Sequence, residues 1–505
     1  MTDKGILRPE ATLGEPQFRQ ELGLFDATMV VVGVMIGSGI FIVSADMSRL
    51  IGSPAWLLVA WLIAGLITIA GALCYGELAG MMPHAGGMYI YLRESLSPIW
   101  GFLYGWTLFT VIQTGTIAAV AVAFGRFFGV LCPVISDDKY IIGPVHLSTH
   151  YALSLSTVQL LAILLVALLT SANTYGLSYG RAIQNVSSIA KIGTLFALII
   201  LGIGLGSNIT ALHANFVSPW SRHGFEIIAP GLTAGTTFGL IIALCLSQSG
   251  SLFASEAWHN IAFAAAEVKN ARRNVTLAMV IGTVLVILLY LLANVAYLVT
   301  LPLPDIQHAP VDRVATATLQ VIFPGIGTSA MAVAIMVSTF GAVNALVMTG
   351  ARVYYAMACE HLFFPATARL NKAHVPARSL LVQGAWAMLL VLPRTYNPVT
   401  GKYGNVYSNL LDYVISAVLL FYILTVLGLF RLRFVRPNAD RPYRTAGYPV
   451  VPALHILCTS TILVALLAYR PTSSWPGLVI ILLGVPVYSL LRWANKGART
   501  GPVFS

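Results

Sequence analysis

The apolar runs of this chain constrain its fold more than any other feature. Lipid offers no partner to a backbone N–H or C=O, so a spanning segment is expected to be unbroken helix. Each crossing needs about 20 apolar residues. Twelve stretches fit, approximately 24–46, 55–82, 99–131, 157–175, 183–206, 235–262, 275–301, 328–356, 379–393, 410–431, 451–470 and 477–493. The ninth is the weakest, being short and ending at Pro393-Arg394. Composition agrees: 57% of the 505 residues are hydrophobic and only 9% charged, where a soluble protein carries about 25% charged. The expected class is an all-α integral membrane protein with twelve transmembrane helices. Residues 1-505 are expected to form one transmembrane domain with no separate soluble domain.

A formal charge of +11 needs no nucleic acid in such a chain. Bilayer proteins concentrate Lys and Arg on cytoplasmic loops. Most of the 29 basic residues fall on the even-numbered connections and the two termini, among them Arg93, Arg181, Lys269, Arg352, Arg369, Arg431, Arg433 and Arg441. Fewer fall on the opposite side, among them Arg49, Arg126, Arg222, Arg313 and Arg394. Both termini are therefore expected in the cytoplasm. The polar stretch 1–21, with Lys4, Arg8 and Arg19, has no cleavable-signal pattern. Five scattered cysteines form no CxxC pair, which points away from a metal site or a disulfide framework. Residues 83–96 and 358–376 read as inner-face helices, and 301–327 as a partly helical cap on the outer mouth.

One span carries an interruption. Gly33-Val34-Met35-Ile36-Gly37-Ser38-Gly39-Ile40-Phe41 places two glycines around a serine at mid-membrane. Such small residues serve either as a close-packing face for a neighbour or as a break, which is tolerated where freed backbone groups line a cavity. A half-helix starting near Ile40 would aim N–H groups at an anion. A half ending near Met35 would leave carbonyls for a cation, so one gap suits both ends of a zwitterion. Five spans later, residues 247–260 are again polar and rich in small residues, with Glu256 among them. An acidic residue costs about 2.5–3.5 kcal/mol in lipid, so Glu256 must face protein or water. Two interrupted spans at this separation suggest an inverted repeat of spans 1–5 and 6–10, with substrate bound where they meet. Lys191 in span 5 either snorkels to the inner surface or sets its ammonium between the first span and span 8, donating to backbone carbonyls and to Ser338 or Thr339. There it would fill the space of a sodium ion in related architectures.

These residues resemble the amino acid–polyamine–organocation (APC) superfamily, and within it the L-type amino acid transporter (LAT)-like family. The marks are Leu24-Phe25-Asp26 before Gly33–Phe41, Gly76-Glu77-Leu78 with Pro83–Tyr91, Gly101–Trp106, Ala190-Lys191-Ile192-Gly193, Leu252-Phe253-Ala254 with Trp258, Glu267–Asn270, Ser338–Asn344 and Tyr443-Arg444 with Tyr448-Pro449. The resemblance implies a LeuT-like 5+5 inverted repeat with discontinuous helices 1 and 6: residues 24-206, then 235-431, then two additional spans at 451-493. It also implies a multi-pass protein of the plasma (inner) membrane.

By the same resemblance, the carboxylate of an amino acid substrate meets N–H groups at Ser38 and Gly39, within Met35, Ile36, Gly37, Ser38 and Gly39. The amino group meets carbonyls of Met35, Phe253 and Glu256, and Phe253 closes over the substrate. The chain departs from the family at Ser255, Glu256 and Ala257. Ser255 either enlarges the pocket or faces a neighbouring helix. Glu256 pairs with a cationic substrate, binds a proton or bonds within the scaffold, and the scaffold reading is preferred. His259 reads as structural. Gln113, Thr114 and Asn344 are further pocket candidates, and Lys191 with Ser338 is expected to gate or couple transport. Cys132 lies in the loop where eukaryotic members carry the cysteine for a glycoprotein partner, but a free thiol and no obligatory partner subunit are expected here.

The expected function is sodium-independent exchange of neutral amino acids by alternating access, with no cofactor or metal. The alternative is proton-coupled symport, including of cationic amino acids, with Glu256 or His259 carrying the proton. An enzyme is disfavoured, because no HExxH or GxSxG motif occurs. A channel is disfavoured by the lack of a repeated filter motif.

Overall fold

The computed structural model describes residues 18–148, 151–397, 402–403 and 406–499; the basic residues Lys4 and Arg8 lie outside them. The chain opens with α1 (Leu24–Met35), stops, makes a 3-10 turn at Gly39–Phe41 and resumes as α2 (Val43–Ile51). Next come α3 (Pro54–Met81), α4 (Met88–Ser95), α5 (Pro98–Thr107) and α6 (Gln113–Leu131). A π-helical turn at Leu108–Ile112 joins the last two into one long rod. Strands β1 (Tyr140–His146) and β2 (Tyr151–Ser156) precede α7 (Thr157–Thr174), α8 (Leu177–Gly204) and α9 (Ile209–Phe216). A short hairpin, β3 (Ile227–Ala229) and β4 (Leu232–Thr233), leads to α10 (Thr237–Ala254), a 3-10 run at Trp258–Glu267 and α11 (Ala271–Thr300). Then follow α12 (Leu303–Gln307), α13 (Val314–Ile322), α14 (Gly327–Cys359), α15 (Ala377–Leu390), β5 (Pro393–Asn397), β6 (Lys402–Tyr403), α16 (Val406–Val435), α17 (Val450–Tyr469) and α18 (Pro471–Arg499).

Helix ends follow local chemistry. Pro54 and Pro98 sit at first-turn positions, where a missing N–H costs nothing. Ser156 and Gln159 close a capping box at the start of α7, and Gly52 ends α2 in the left-handed conformation. Ten helices are long and apolar enough to cross a membrane, among the described residues, while Leu24–Met35 is a shorter apolar helix. The ninth apolar run yields a helix of only 14 residues, Ala377–Leu390.

The core of the bundle forms around α1, which packs against α8, α11, α14 and the 3-10 run after α10. Helix α10 packs on α2, α3, α16 and α17. Two buried acidic side chains, Glu267 and Glu77, are paired with arginines, the arrangement expected in lipid. Arg352 of α14 forks onto Glu267 with two contacts of 2.9 Å, and both side chains are 1% exposed. Glu77 takes Arg433 at 2.6 and 2.9 Å, Arg441 at 3.2 Å and the Thr445 hydroxyl at 2.8 Å. Arg352 is thus a buried structural cation and not one of the loop charges expected from sequence.

Two further corrections concern the connections. Residues 360–376 contain only a 3-10 turn at Pro365–Thr367, because α14 itself continues to Cys359. The loops after α6 and after α15 join in a four-stranded sheet of order β1-β2-β5-β6, an element the apolar runs did not announce. Ala152 pairs with Arg394 and Leu153 with Pro393 in antiparallel register.

Candidate functional site

The first helix stops because its residues cannot continue it. Ile36 leaves helical conformation at ψ 82°, and the Gly37 N–H turns back to the Met35 carbonyl at 2.8 Å. The freed carbonyls are met by side chains from three surrounding helices. Lys191 of α8 donates to the Gly33 carbonyl at 2.6 Å. Tyr290 of α11 donates toward Met35 and Ala254 oxygens at 2.8 and 3.0 Å, and Tyr297 reaches the Ile40 oxygen at 3.3 Å. Ser338 of α14 lies 3.0 Å from the Ile36 carbonyl and 3.2 Å from that of Gly37. An unpaired buried carbonyl is costly, and this ring of donors lets the chain stay unwound at depth.

Lys191 is 1% exposed. The snorkelling reading is therefore excluded, and its amine does occupy the gap beside the first helix. The expected donation to Ser338 or Thr339 is corrected: the partner is Gly33, and Thr339 bonds carbonyls of its own helix. Gln184 and Ser188, on the same face of α8, donate to the Met29 carbonyl. A Cβ on Gly33 would lie 1.6 Å from Gln184 Nε2, so glycine is what lets α8 approach this closely.

The second interruption is narrower than its sequence suggests. Helix α10 runs intact through Ser247–Ser251, whose hydroxyls bond within the helix. It ends at Ala254: the Ser255 N–H makes a last helical bond to the Ser251 carbonyl at 3.1 Å, and the Glu256 N–H turns to the Phe253 carbonyl at 3.2 Å. Ala257 then adopts φ 67°, a left-handed conformation, before the 3-10 run begins. The two breaks touch: a Cβ on Gly39 would lie 2.7–2.8 Å from Ala254 atoms. Between them is a small cavity lined by Val34, Met35, Gly37, Ser38, Gly39, Thr116, Val120, Phe253, Ala254, Glu256, Ala257 and Leu346. The 3-10 turn that follows Ser38 starts on the wall of this cavity, with Ser38 and Gly39 both lining it.

The family described as "Amino acid permease" matches residues 22–488. The chain belongs to that family. Its relatives cover nearly the whole chain. The "Serine/threonine exchanger SteT" of Bacillus subtilis (strain 168) is 27% identical over 93% of this chain and 96% of its own. The "b(0,+)-type amino acid transporter 1" of Mus musculus is 27% identical over 95% and 91%. The human "Large neutral amino acids transporter small subunit 2" is 28% identical over 96% and 82%. Relatives and family are membrane transporters of the APC superfamily and LAT-like in kind, and a multi-pass integral membrane protein follows for this permease.

Not all expected residues reach the cavity. Met35, Gly37, Ser38, Gly39, Phe253 and Glu256 line it; Ile36 does not, its carbonyl facing Ser338. Ser255 turns to α3, its hydroxyl bonded to the Ser251 carbonyl and 3.4 Å from that of Thr68. Asn344 is locked between α7 and α8, donating to the Gly180 carbonyl and accepting from Asn173 at 2.9 Å. Gln113 holds the Leu346 carbonyl, and Thr114 bonds Phe109. These polar side chains are consumed by helix packing, which in lipid relies on such bonds. Thr116, Val120, Leu346 and Val34 take their place on the wall. Thr116 sits one helical turn from Ile112, to which its hydroxyl donates, and its spacing alone did not mark it.

Glu256 accepts from Tyr422 at 3.4 Å, and the same hydroxyl lies 3.3 Å from His259 Nδ1. These bonds agree with a scaffold role, yet the carboxylate also borders the cavity. Cys132 is half-buried, and no disulfide joins the described residues.

Proposed function

We propose that this permease exchanges neutral amino acids, independently of sodium, by alternating access. One observation supports the reading: the two interrupted helices meet at a buried cavity lined by residues of both breaks, Met35, Gly37, Ser38 and Gly39 from the first and Phe253, Ala254, Glu256 and Ala257 from the second. A carboxylate suits the N–H groups at Ser38 and Gly39. An ammonium suits the carbonyls of Met35, Phe253 and Glu256. Since Tyr290 and Gly37 already occupy the Met35 oxygen, an incoming ammonium replaces the Tyr290 hydroxyl there. Phe253 closes over the bound substrate, while Lys191 and Ser338 hold the first helix and replace a sodium ion in coupling.

The matching topology is twelve spans: an inverted LeuT-like repeat of 24-206 and 235-431, with 451-493 as two additional helices. The protein works in the plasma (inner) membrane with both termini cytoplasmic. It needs no partner subunit, although one relative is itself named a small subunit. Purified protein in liposomes tests the transport reading and the absence of a partner subunit. Uptake of a labelled neutral amino acid should accelerate when unlabelled amino acid is inside, and replacing sodium by choline should change nothing. A sodium requirement, or uptake indifferent to internal amino acid, defeats the reading. Proton-coupled symport, including of cationic amino acids, is the second reading, favoured by the Glu256 carboxyl on the cavity wall; dependence on an imposed pH gradient would select it.

A further inference from the structure

A second cavity lies behind the unwound turn, between α3, α10, α16 and α17. Its walls include Thr68, Ser255, Glu256, Trp258, Tyr422 and His455. Glu256 borders this space and the first cavity alike. No Lys or Arg lines either one.

His455 is the unusual member of this wall. It belongs to α17, one of the two helices outside the repeat, and is 2% exposed. Its Nδ1 lies 3.0 Å from the Ile67 carbonyl. A carbonyl only accepts, so Nδ1 carries a hydrogen, and in the neutral ring Nε2 is a bare acceptor. That Nε2 is buried and has no hydrogen-bond partner among the described residues. A buried polar atom of this kind is normally satisfied by protein or by water. The cavity therefore presents two acceptors, the Glu256 carboxylate and His455 Nε2, to an occupant that must donate to both. Water fits, and so does its protonated form.

The Tyr422 hydroxyl supplies the other half of the argument. It sits between Glu256 Oε1 at 3.4 Å and His259 Nδ1 at 3.3 Å, and it has one hydrogen. With Glu256 ionised, Tyr422 donates to the carboxylate and accepts from a protonated His259 Nδ1. With Glu256 protonated, Tyr422 still donates to the carbonyl oxygen of the carboxyl group and still accepts from Nδ1. Neither bond is lost and no other hydrogen has to move, so the surroundings accept both states of Glu256.

We propose that the second cavity is a proton-delivery site, holding a water or hydronium ion between His455 Nε2 and Glu256, with His455 as the positioning residue that sets how readily Glu256 protonates. Hydronium gives its proton to the carboxylate and remains as water, and the reverse step releases it. The inference rests on the proposed use of the first cavity by amino acids, since Glu256 carries the effect there. The titratable groups that face Glu256 are Tyr75 on α3, Tyr104 on α5, Tyr422 on α16, His455 on α17 and His259 on its own segment. Among them His455 is the one on the helix pair outside the repeat.

The test is the pH profile of amino acid exchange in proteoliposomes from pH 5 to 9, with equal pH on both sides. In parallel, infrared difference spectra follow the Glu256 carboxyl stretch, which needs no transport. The wild-type rate should change with pH around one midpoint. His455→Leu should move that midpoint and the infrared titration together, by about tenfold or more in proton concentration. His455→Gln, which keeps a donor for Ile67 and an acceptor toward the cavity, should restore most of the shift. Glu256→Gln should flatten the rate profile and remove the infrared band. A folded His455→Leu protein with the wild-type midpoint and spectrum overturns the proposal, as does a flat wild-type infrared titration. If wild-type protein shows no exchange but the infrared shift occurs, the transport reading fails and the proton site stands.

Discussion

The two helix interruptions reach the same outcome by opposite means. In the first, Gly37 gives up helix and a ring of donors (Lys191, Tyr290, Tyr297 and Ser338) collects the carbonyls it frees. In the second, no glycine is present. The turn is made by Ala257 in a left-handed conformation, with Glu256 tied outward to Tyr422. The first break is held by four outside donors; the second takes two, Tyr290 on the Ala254 carbonyl and Tyr422 on Glu256, and adds a strained residue of its own. The first should therefore depend most on its neighbours, while the second should respond both to Tyr290 and to a change at its own strained residue.

The largest expected effect is at Lys191. Lys191→Ala strips the Gly33 carbonyl of its donor and opens a hole, at a cost of about 3 kcal/mol. Exchange should fall about 100-fold, with a lowered melting temperature in detergent. Unchanged transport would mean that the first break is not held from outside. Next comes Tyr290→Phe, the one hydroxyl shared by both interruptions through Met35 and Ala254. A loss of about 1–3 kcal/mol follows from a buried acceptor left unpaired. Measured with Lys191→Met in a double-mutant cycle, it should be non-additive. Ser338→Ala should cost about 1 kcal/mol and act on the first break alone, leaving the infrared signature of Glu256 unmoved. The smallest effect is Ala257→Gly. Relief of the left-handed alanine should outweigh glycine's entropy by about 0.5 kcal/mol, a small rise in melting temperature. A fall there would show that Ala257 is packed in place and not strained.

How much of this was legible depends on the reach of each signal. The first break could be read because glycine acts locally, and the long apolar helices because lipid demands continuity. Lys191 could be placed in the gap, but not its partner, since Gly33 is distant in sequence and reachable only after α8 docks. Asn344 and Gln113 look like pocket residues in sequence, yet three-dimensional packing uses up their amides. Arg352 looked like a loop charge because its partner Glu267 is 85 residues away. The sheet was not legible: along β2 the buried positions are Ala152, Ser154 and Ser156, while the larger apolar Tyr151, Leu153 and Leu155 are more exposed, the reverse of what hydropathy suggests. Its partner strand β5, moreover, follows a different helix far along the chain.

That sheet has a mechanical consequence. Strand β2 runs directly into α7 and β5 directly out of α15, two helices that also pack side by side. Backbone ladders at one end and side-chain contact along the length bolt this pair into a single strut. If the proposed alternating access is right, this strut is expected to move as one rigid piece, so that α7 and α15 keep their mutual distance while the first helix tilts.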